Sequence, residues 1–308
     1  MKVEVMYLAT PLRALLWQVA GALVLPLLLL SFLQGGRWLA NGLYSLIIAT
    51  VFEGLMLAAR GKPLRGCLDG SIAITALILA LTLPQSAPLW LLTVANGFAV
   101  IFGKQLYGGL GFNVFNPAMV AYCFCLLSFP VAISQQPAQP LEFFSLFLPP
   151  SDLNTAATLL DRSRQLRIAA APMVNALNPD KLALNSLYLL SAIGLAWRRC
   201  LDFRISLAYL LGALAAALAF YGYDGSKYLA PLVRLNEGGL IFAACFIATD
   251  PCTCATSLRG RWLFGLFTGA LAVAIGYLGN YADGVAFAML LGNGLVPLID
   301  PWTAPKYE

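Results

Sequence analysis

The sequence predicts an all-helical protein that crosses a membrane about ten times. Of its 308 residues, 60% are hydrophobic and only 11% are charged, whereas soluble domains carry about 25% charged residues. The apolar residues form long runs, and a helix needs roughly 20 of them to cross a bilayer. Because lipid offers the backbone no hydrogen-bond partner, each run should be a helix. The short alternating segments of a membrane β-barrel are not seen.

The order of the spans follows from the apolar runs between polar loops. The first run, residues 15–33, is long for the apolar region of a signal peptide and lacks a small-residue cleavage site, so we interpret it as a span. Spans are expected at approximately 14–33, 38–59, 69–83, 88–103, 117–133, 183–197, 204–221, 237–249, 262–279 and 284–299. Several are short, and those that contain Gly and Pro are candidates for broken or re-entrant helices.

Basic residues between the spans predict the orientation. If the amino terminus is cytoplasmic, the inside loops contain Arg60, Lys62, Arg65, Lys104, Arg198, Arg199, Arg204, Arg259 and Arg261. The short outside loops then contain only Arg37, Lys227 and Arg234. This bias places both termini in the cytoplasm and the long segment 134–182 outside, where its own charges count little.

A repeated sequence pattern divides the chain into two halves. One apolar run opens with Asp69-Gly70-Ser71 and another with Asn236-Glu237-Gly238-Gly239, and each run ends next to a proline. Five spans precede the long segment and five follow it, so the halves would have opposite orientations, as in a 5+5 inverted repeat. The alternative is a chance similarity between helices bounded by Gly and Pro. The predicted divisions are 1–133 for the first membrane half, 134–182 for the outer loop and 183–308 for the second half.

Composition excludes several kinds of chemistry. The chain has no histidine, which removes the commonest metal ligand, a Ser-His triad and His-ligated haem. Its seven cysteines lie in or beside apolar segments without a paired framework, so we expect no structural disulfides. Cys252 and Cys254 have no second pair at the spacing that a metal needs, and no metal site is predicted. The net charge is +5, and the basic residues lie between the spans, where they suit a topology signal better than a nucleic-acid surface.

Two acidic residues are candidates for ion or proton passage. Glu53 falls within the second span, and Asp250 ends the eighth span just before Pro251. Ionisable residues at membrane depth are rare and commonly functional. For Asp250 the alternative is a structural role, either as the cap of the next turn or as a partner of Arg259 or Arg261.

The segment Asp152-Leu153-Asn154-Thr155-Ala156-Ala157-Thr158 lies in the outer loop. In isolation it is a small polar stretch in which Asp152 caps a helix. It also resembles the site at which a flavin transferase links FMN through its phosphate to a threonine hydroxyl. The resemblance makes Thr158 the acceptor and Asp152, Thr155 and Ala157 the rest of the motif. Ala156 stands where glycine is commoner.

Further motifs point to one family. They are Lys104-Gln105-Leu106-Tyr107-Gly108-Gly109-Leu110-Gly111, Phe115-Asn116-Pro117-Ala118-Met119, Phe246-Ile247-Ala248-Thr249-Asp250-Pro251 and Asp283-Gly284-Val285-Ala286-Phe287-Ala288. In this order they resemble the D-type subunit of the Rnf/Rsx ion-translocating electron transport complex, which is related to the B-type subunit of the sodium-pumping NADH:quinone reductase. The glycines at 108, 109 and 111 are explained equally well by a tight re-entry turn and by direct cofactor contact.

The resemblance implies a multi-pass protein of a bacterial inner membrane whose outer loop is periplasmic. It implies covalent FMN on Thr158, a second non-covalent flavin of riboflavin type, a flavin transferase for maturation, and a complex of about six subunits. The redox activity, between ferredoxin-side and NADH-side partners, would belong to the complex and be coupled to Na⁺ or H⁺ movement. Besides these subunits and the transferase, membrane lipid is an expected partner, and nucleic acid is not.

A urea-type solute channel or transporter is the competing hypothesis, because inverted five-helix repeats with broken helices also describe permeases. The segment 152–158 discriminates between the two hypotheses, since a channel has no need of a flavin attachment site. The sequence does not identify catalytic residues.

Overall fold

The computed structural model describes residues 12–135, 140–147, 159–168, 177–279, 281 and 283–304, and all regular structure within these ranges is helical. The helices are α1 (Leu12–Gln34), α2 (Arg37–Ala59), α3 (Ser71–Thr82), α4 (Leu89–Ile101), α5 (Pro117–Ser128), α6 (Pro130–Ser134), α7 (Leu159–Ile168), α8 (Pro179–Trp197), α9 (Phe203–Tyr223), α10 (Pro231–Asn236), α11 (Leu240–Phe242), α12 (Leu258–Leu278) and α13 (Val285–Thr303). Short 3₁₀ turns cover Leu64–Leu68, Gln105–Tyr107 and Phe143–Phe147. The prediction of an all-helical polytopic membrane protein is confirmed.

The helices differ in their capacity to cross a bilayer. Six stretches of the described chain are long and apolar enough, namely α1, α2, α9, α12, α13 and α4 with its 3₁₀ extension to Tyr107. Helices α3 and α5 have 12 residues each, which is about 18 Å at 1.5 Å per residue and well short of a hydrocarbon core of roughly 30 Å. Helix α11 is a single turn that continues as a π-helical turn over Ala243–Ile247. These short helices lie where the sequence predicts short or broken spans.

The chain forms two compact units, and the first contains the described parts of 1–113, 120–155 and 190–201. In this unit α2 packs against α1, α3 and α4. Arg37, buried at the start of α2, donates hydrogen bonds to Asn41 Oδ1 (3.2 Å), to the carbonyl oxygen of Ala87 (2.9 Å) and to Ser145 Oγ (3.4 Å). This guanidinium therefore connects α2 to two loops at the same end of the unit.

The second unit contains the described parts of 114–119, 156–189 and 202–308. Its main contact joins α9 to α12, and three glycines allow their backbones to approach closely. A Cβ at Gly212 would overlap the carbonyl oxygen of Leu266, and one at Gly269 would overlap that of Tyr209. Gly265 and Gly269 are four residues apart, the spacing by which small residues bring membrane helices together.

The sequence pattern repeated in the two halves has a local structural counterpart. Gly70 precedes α3 and Gly238 lies just before α11, and both have left-handed backbones with φ of 90° and 73°. Such angles are readily adopted by glycine because it has no Cβ. The inverted repeat and the boundaries 1–133, 134–182 and 183–308 concern membrane topology and stay predictions.

Candidate functional site

The predicted flavin attachment residues precede α7 in the chain. Asp152, Thr155, Ala157 and Thr158 lie outside the described residues, and α7 begins at the next position, Leu159. Leu160 is the first residue of α7 whose surroundings are described.

Leu160 anchors the beginning of α7 on the second unit. Its side chain is 6% exposed and forms a hydrophobic cluster with Leu229 and Val233, and Ala230 packs against the cluster. One turn later, the buried Ser163 hydroxyl donates to the carbonyl oxygen of Leu160 at 2.8 Å. The start of α7 is thus fixed by apolar burial against α10 and the loop before it.

A glycine break lies beside this anchor. Gly238 has a left-handed backbone, and a Cβ there would be 2.8 Å from Leu160 Cδ1 and 3.2 Å from Asp283 Oδ2. The Asp283 carboxylate accepts hydrogen bonds from the backbone N–H groups of Gly239 (2.9 Å) and Val285 (3.1 Å). Asp283 therefore links the start of α11 to the start of α13 next to α7.

An aromatic cluster holds the other end of α7. The rings of Phe220, Tyr228 and Tyr277 lie 4.9–5.2 Å apart in tilted and edge-on pairs. The Arg167 guanidinium lies 5.6 Å from the Tyr228 ring centre and 5.8 Å from that of Tyr277. Both distances are within cation–π range. Arg167 also places positive charge in the last turn of α7, where the helix dipole favours it.

A buried arginine adds positive charge close to this cluster. Arg234 is fully buried, its Nη1 donates to the carbonyl oxygen of Glu237 at 3.2 Å, and its guanidinium lies 5.5 Å from the Tyr277 ring centre. Its Nε and Nη2 have no hydrogen-bond partner among the described residues. The side chain of Glu237 contacts the Lys181 ammonium, so this carboxylate has its own cation.

Glu53, one of the two predicted ion candidates, belongs to a buried charge cluster in the first unit. The Lys104 ammonium lies 2.8 Å from Glu53 Oε1, 2.7 Å from Ser71 Oγ and 3.6 Å from Asp69 Oδ2. Glu53 and Lys104 are 1% and 3% exposed. Two carboxylates thus share one ammonium, and Glu53 Oε2 has no hydrogen-bond partner in the described chain.

Sequence reasoning placed Lys104 among the basic residues of the inside loops and in a motif, and did not predict this ion pair. Lys104 is 51 residues from Glu53, and neither helical periodicity nor local spacing could have joined them. The following glycine turn is held by Arg60, which donates to the carbonyl oxygens of Gln105 (3.0 Å) and Gly108 (3.0 Å). These contacts agree with the interpretation of residues 104–111 as a tight turn.

Asp250, the second ion candidate, caps the turn that follows it. Its carboxylate accepts hydrogen bonds from the backbone N–H of Cys252 (3.1 Å), the Thr253 hydroxyl (3.1 Å) and Asn116 Nδ2 (3.3 Å). In this turn between spans, the pKa of the Asp250 carboxyl is raised above its ordinary value, because burial raises it by more than these hydrogen bonds lower it. The capping role, one of the two predicted for Asp250, is confirmed. Arg261, a proposed partner, contacts Asp202 at 2.6 Å.

Residues 6–307 match the family described as the NQR2, RnfD, RnfE family. The chain belongs to this family. It is 40% identical to the D-type subunit of the ion-translocating oxidoreductase complex of Pseudomonas aeruginosa strain UCBPP-PA14, over 95% of this chain and 90% of that protein. Proteins of the same name from Alcanivorax borkumensis and Sodalis glossinidius are 38% and 36% identical, over 95% and 96% of this chain and 91% and 94% of theirs. The resemblance to RnfD-type proteins is confirmed, and the Lys104, Asp250 and Asp283 motifs of this family member all lie at helix breaks.

Proposed function

We propose that this protein is the RnfD-type membrane component of an ion-translocating electron transport complex and carries FMN on the Thr158 hydroxyl. The single observation that carries the proposal is the segment 152–158, in a chain that belongs to the NQR2, RnfD, RnfE family over nearly its whole length. A solute channel of similar architecture has no use for an attachment segment. The redox activity is expected only in the assembled complex.

The surroundings of α7 fit an anionic phosphate ester. Thr158 is the residue before Leu159, the first described residue of α7. Arg167 and Arg234 add two positive charges to the unit on which α7 is docked. When bound, FMN supplies the electron-carrying chemistry, while the residues of this chain attach and orient it.

The remaining proposed features follow from the family. The partners are the other subunits of a complex of about six, membrane lipid, and a flavin transferase that loads FMN from the periplasmic side. A non-covalent flavin of riboflavin type is a second proposed cofactor. Electrons would pass between ferredoxin-side and NADH-side partners, in the bacterial inner membrane.

Mass spectrometry of the peptide that contains Asp152 tests the attachment directly. We expect a mass increase of one FMN in protein that is co-produced with a flavin transferase, and a fluorescent band after denaturing electrophoresis. Thr158→Ala should abolish both signals. Ser163→Ala removes a nearby hydroxyl that bonds within α7 and should keep both. Protein without FMN, or a Thr158→Ala variant that still carries it, would refute the proposal.

The location of the loop can be tested separately. Gln165 is exposed on α7, and Arg199 is exposed in the turn between α8 and α9. A membrane-impermeant maleimide added to intact spheroplasts should label a Gln165→Cys variant above the background of the native cysteines, and should not label Arg199→Cys. The reverse pattern would place the loop in the cytoplasm, out of reach of an exported transferase, and would favour a permease.

Of the two acidic candidates for ion passage, we propose Glu53 in preference to Asp250. The Asp250 oxygens are both engaged in capping, whereas one Glu53 oxygen is buried without a partner in the described chain. Glu53→Gln should slow redox-driven Na⁺ or H⁺ uptake into proteoliposomes containing the whole complex, without loss of FMN. Glu142→Gln, which changes an exposed carboxylate of the same unit, is the matched control. Equal uptake by both variants would remove Glu53 from the ion path.

A further inference from the structure

We propose that the loop after α2 and the glycine turn after α4 form a binding site for an anionic phospholipid, in which Arg60 and Lys62 hold the phosphate. The site belongs to the first unit and does not involve the flavin attachment segment. The inference therefore goes beyond the proposed function and does not depend on it. It also gives a role to the turn at residues 104–111, which the proposed electron transport does not use.

Two positive charges meet at one backbone oxygen in this site. Arg60 Nη2 and Lys62 Nζ both donate to the carbonyl oxygen of Gly108, at 3.0 Å and 3.2 Å. The two nitrogens are therefore no more than about 6 Å apart, which is less than the Debye length of about 8 Å at physiological ionic strength. Like charges at this distance repel each other, so an anion that bridges them would stabilise the arrangement.

No acidic side chain of the described chain neutralises these two cations. Neither of them takes part in an ion pair there, and the carboxylates of Asp69 and Glu53 contact Lys104 instead. Arg60 caps the C-terminus of α2, where the helix dipole supplies the equivalent of only about half a negative charge. Most of the two positive charges is thus left for a ligand to balance.

The fold holds both cations in place. Arg60 Nη1 donates to the carbonyl oxygen of Gln105 at 3.0 Å, so the guanidinium spans the 3₁₀ turn that lies between its two acceptors. Gly61 has a left-handed backbone with φ of 63°, and the N–H of Lys62 donates to the carbonyl oxygen of Leu57 at 2.8 Å. A ligand therefore meets an arrangement that is already formed, which lowers the entropy lost on binding.

Exposed apolar side chains flank the two cations. Leu64, Leu106 and Phe112 are 61%, 64% and 70% exposed. The Phe112 ring lies against Gly108, because a Cβ added there would be 3.1 Å from the ring carbon Cγ. A phospholipid carries acyl chains next to its phosphate and so matches the apolar and the charged groups together, whereas inorganic phosphate would leave the apolar side chains uncovered.

The site lies at the ends of helices that are long enough to cross a bilayer. Trp17 Nε1 donates to the carbonyl oxygen of Leu68 at 3.2 Å. Trp17 is five residues, or about 7.5 Å, into the described part of α1. The 3₁₀ turn Leu64–Leu68 is therefore level with the first turns of a span, at the depth of the lipid headgroups, where tryptophan is enriched. This depth favours a lipid over a water-soluble partner.

Binding of phosphatidylglycerol to the full chain in detergent micelles tests the site, with phosphatidylcholine and inorganic phosphate as comparisons. Native mass spectrometry counts the lipid molecules that stay bound to each variant. Lys62→Gln removes one of the two charges, and Lys62→Arg keeps it. Lys227→Gln is the matched control, because Lys227 is an exposed lysine of another short loop and already pairs with Asp224.

We expect one tightly held phosphatidylglycerol per chain, which neither phosphatidylcholine nor inorganic phosphate displaces. Lys62→Gln should weaken its binding by about fivefold, the equivalent of about 1 kcal/mol for one basic residue at an anionic membrane surface. Lys62→Arg and Lys227→Gln should bind it like the wild type. Equal retention of the two phospholipids, or equal affinity of Lys62→Gln and Lys227→Gln for phosphatidylglycerol, would overturn the inference. Displacement by inorganic phosphate would overturn the lipid assignment.

A protein partner is the alternative occupant, and the assembled complex distinguishes it from lipid. A photoreactive group attached to a Lys62→Cys variant should cross-link to lipid in the complex, and cross-linking to another subunit instead would overturn the inference. FMN content is measured in the same samples and should be normal in every variant. Absence of FMN from the wild type would contradict the proposed function alone, whereas failure of lipid binding would leave that function as it stands.

Discussion

The buried pair between Glu53 and Lys104 offers a quantitative prediction about stability. Both side chains are almost completely buried, and the ammonium lies 2.8 Å from one carboxylate oxygen. Removal of Lys104 would leave a buried carboxylate without its cation and with Asp69 as a like charge nearby. Removal of the Glu53 charge is milder, because Lys104 keeps Ser71 Oγ at 2.7 Å and Asp69 at 3.6 Å.

These contacts set the expected magnitudes. Breaking a buried ion pair from one side costs about 3–5 kcal/mol, and we expect this cost for Lys104→Met. Glu53→Gln keeps the shape and one acceptor, and should cost about 1–2 kcal/mol. The double variant removes the pair together and should be close to Glu53→Gln, so the coupling energy should be about as large as the cost of Lys104→Met, roughly 3–5 kcal/mol.

Thermal unfolding in detergent micelles, followed by circular dichroism, measures these differences. Lys104→Met should lower the midpoint by roughly 6–10 °C, and the double variant should recover most of that loss. Lys227→Met breaks an exposed pair with Asp224 at 2.9 Å, and little change is expected because surface pairs contribute little. Additive effects of the two single changes in the first unit would contradict the reasoning, because they would mean that Glu53 and Lys104 do not interact.

Three further predictions concern glycines and the capped turn. Gly269→Ala should lower the free energy of unfolding by about 1–3 kcal/mol, and with it the thermal midpoint, because its Cβ would overlap the backbone of α9. The control Gly194→Ala, with nothing within 4 Å of the added Cβ, should be neutral or stabilising by about 0.5–1 kcal/mol. Equal effects of the two changes would count against glycine-mediated packing. Gly238→Ala should cost at least about 1–2 kcal/mol for its left-handed backbone and release α7, detected as faster tryptic cleavage within 159–168, and unchanged cleavage would contradict this. Asp250→Asn should loosen the turn by about 1.5–3 kcal/mol, so that Cys252 reacts faster with maleimide; an unchanged rate would show that the caps are dispensable.

The sequence predicted the helical membrane class because that property depends on composition. A chain with 11% charged residues in long apolar runs can satisfy its backbone in lipid only as helices. The positions of the individual helices followed from the same runs. Even the short helices were indicated by glycine and proline at their ends, as with Gly70 before α3 and Pro251 after the π-helical turn.

The candidate site was predicted less completely. The proposed attachment segment is a local motif, so Thr158 could be proposed as the acceptor without a structure. The surroundings of α7 could not, because Leu160 meets Leu229, Val233 and Gly238 across some 70 residues of chain. Arg234 looked like a loop charge in the sequence and is fully buried in the structure.

By itself, the sequence determined that this chain is a helical membrane protein with a candidate hydroxyl for a flavin. These properties depend on residues that are neighbours in the chain, so the sequence alone is enough to determine them. Only the tertiary structure decided which charges neutralise one another, where α7 docks and which glycines allow helices to touch. Those outcomes depend on distances between residues far apart in the chain, and such distances are set by the packing of the whole unit.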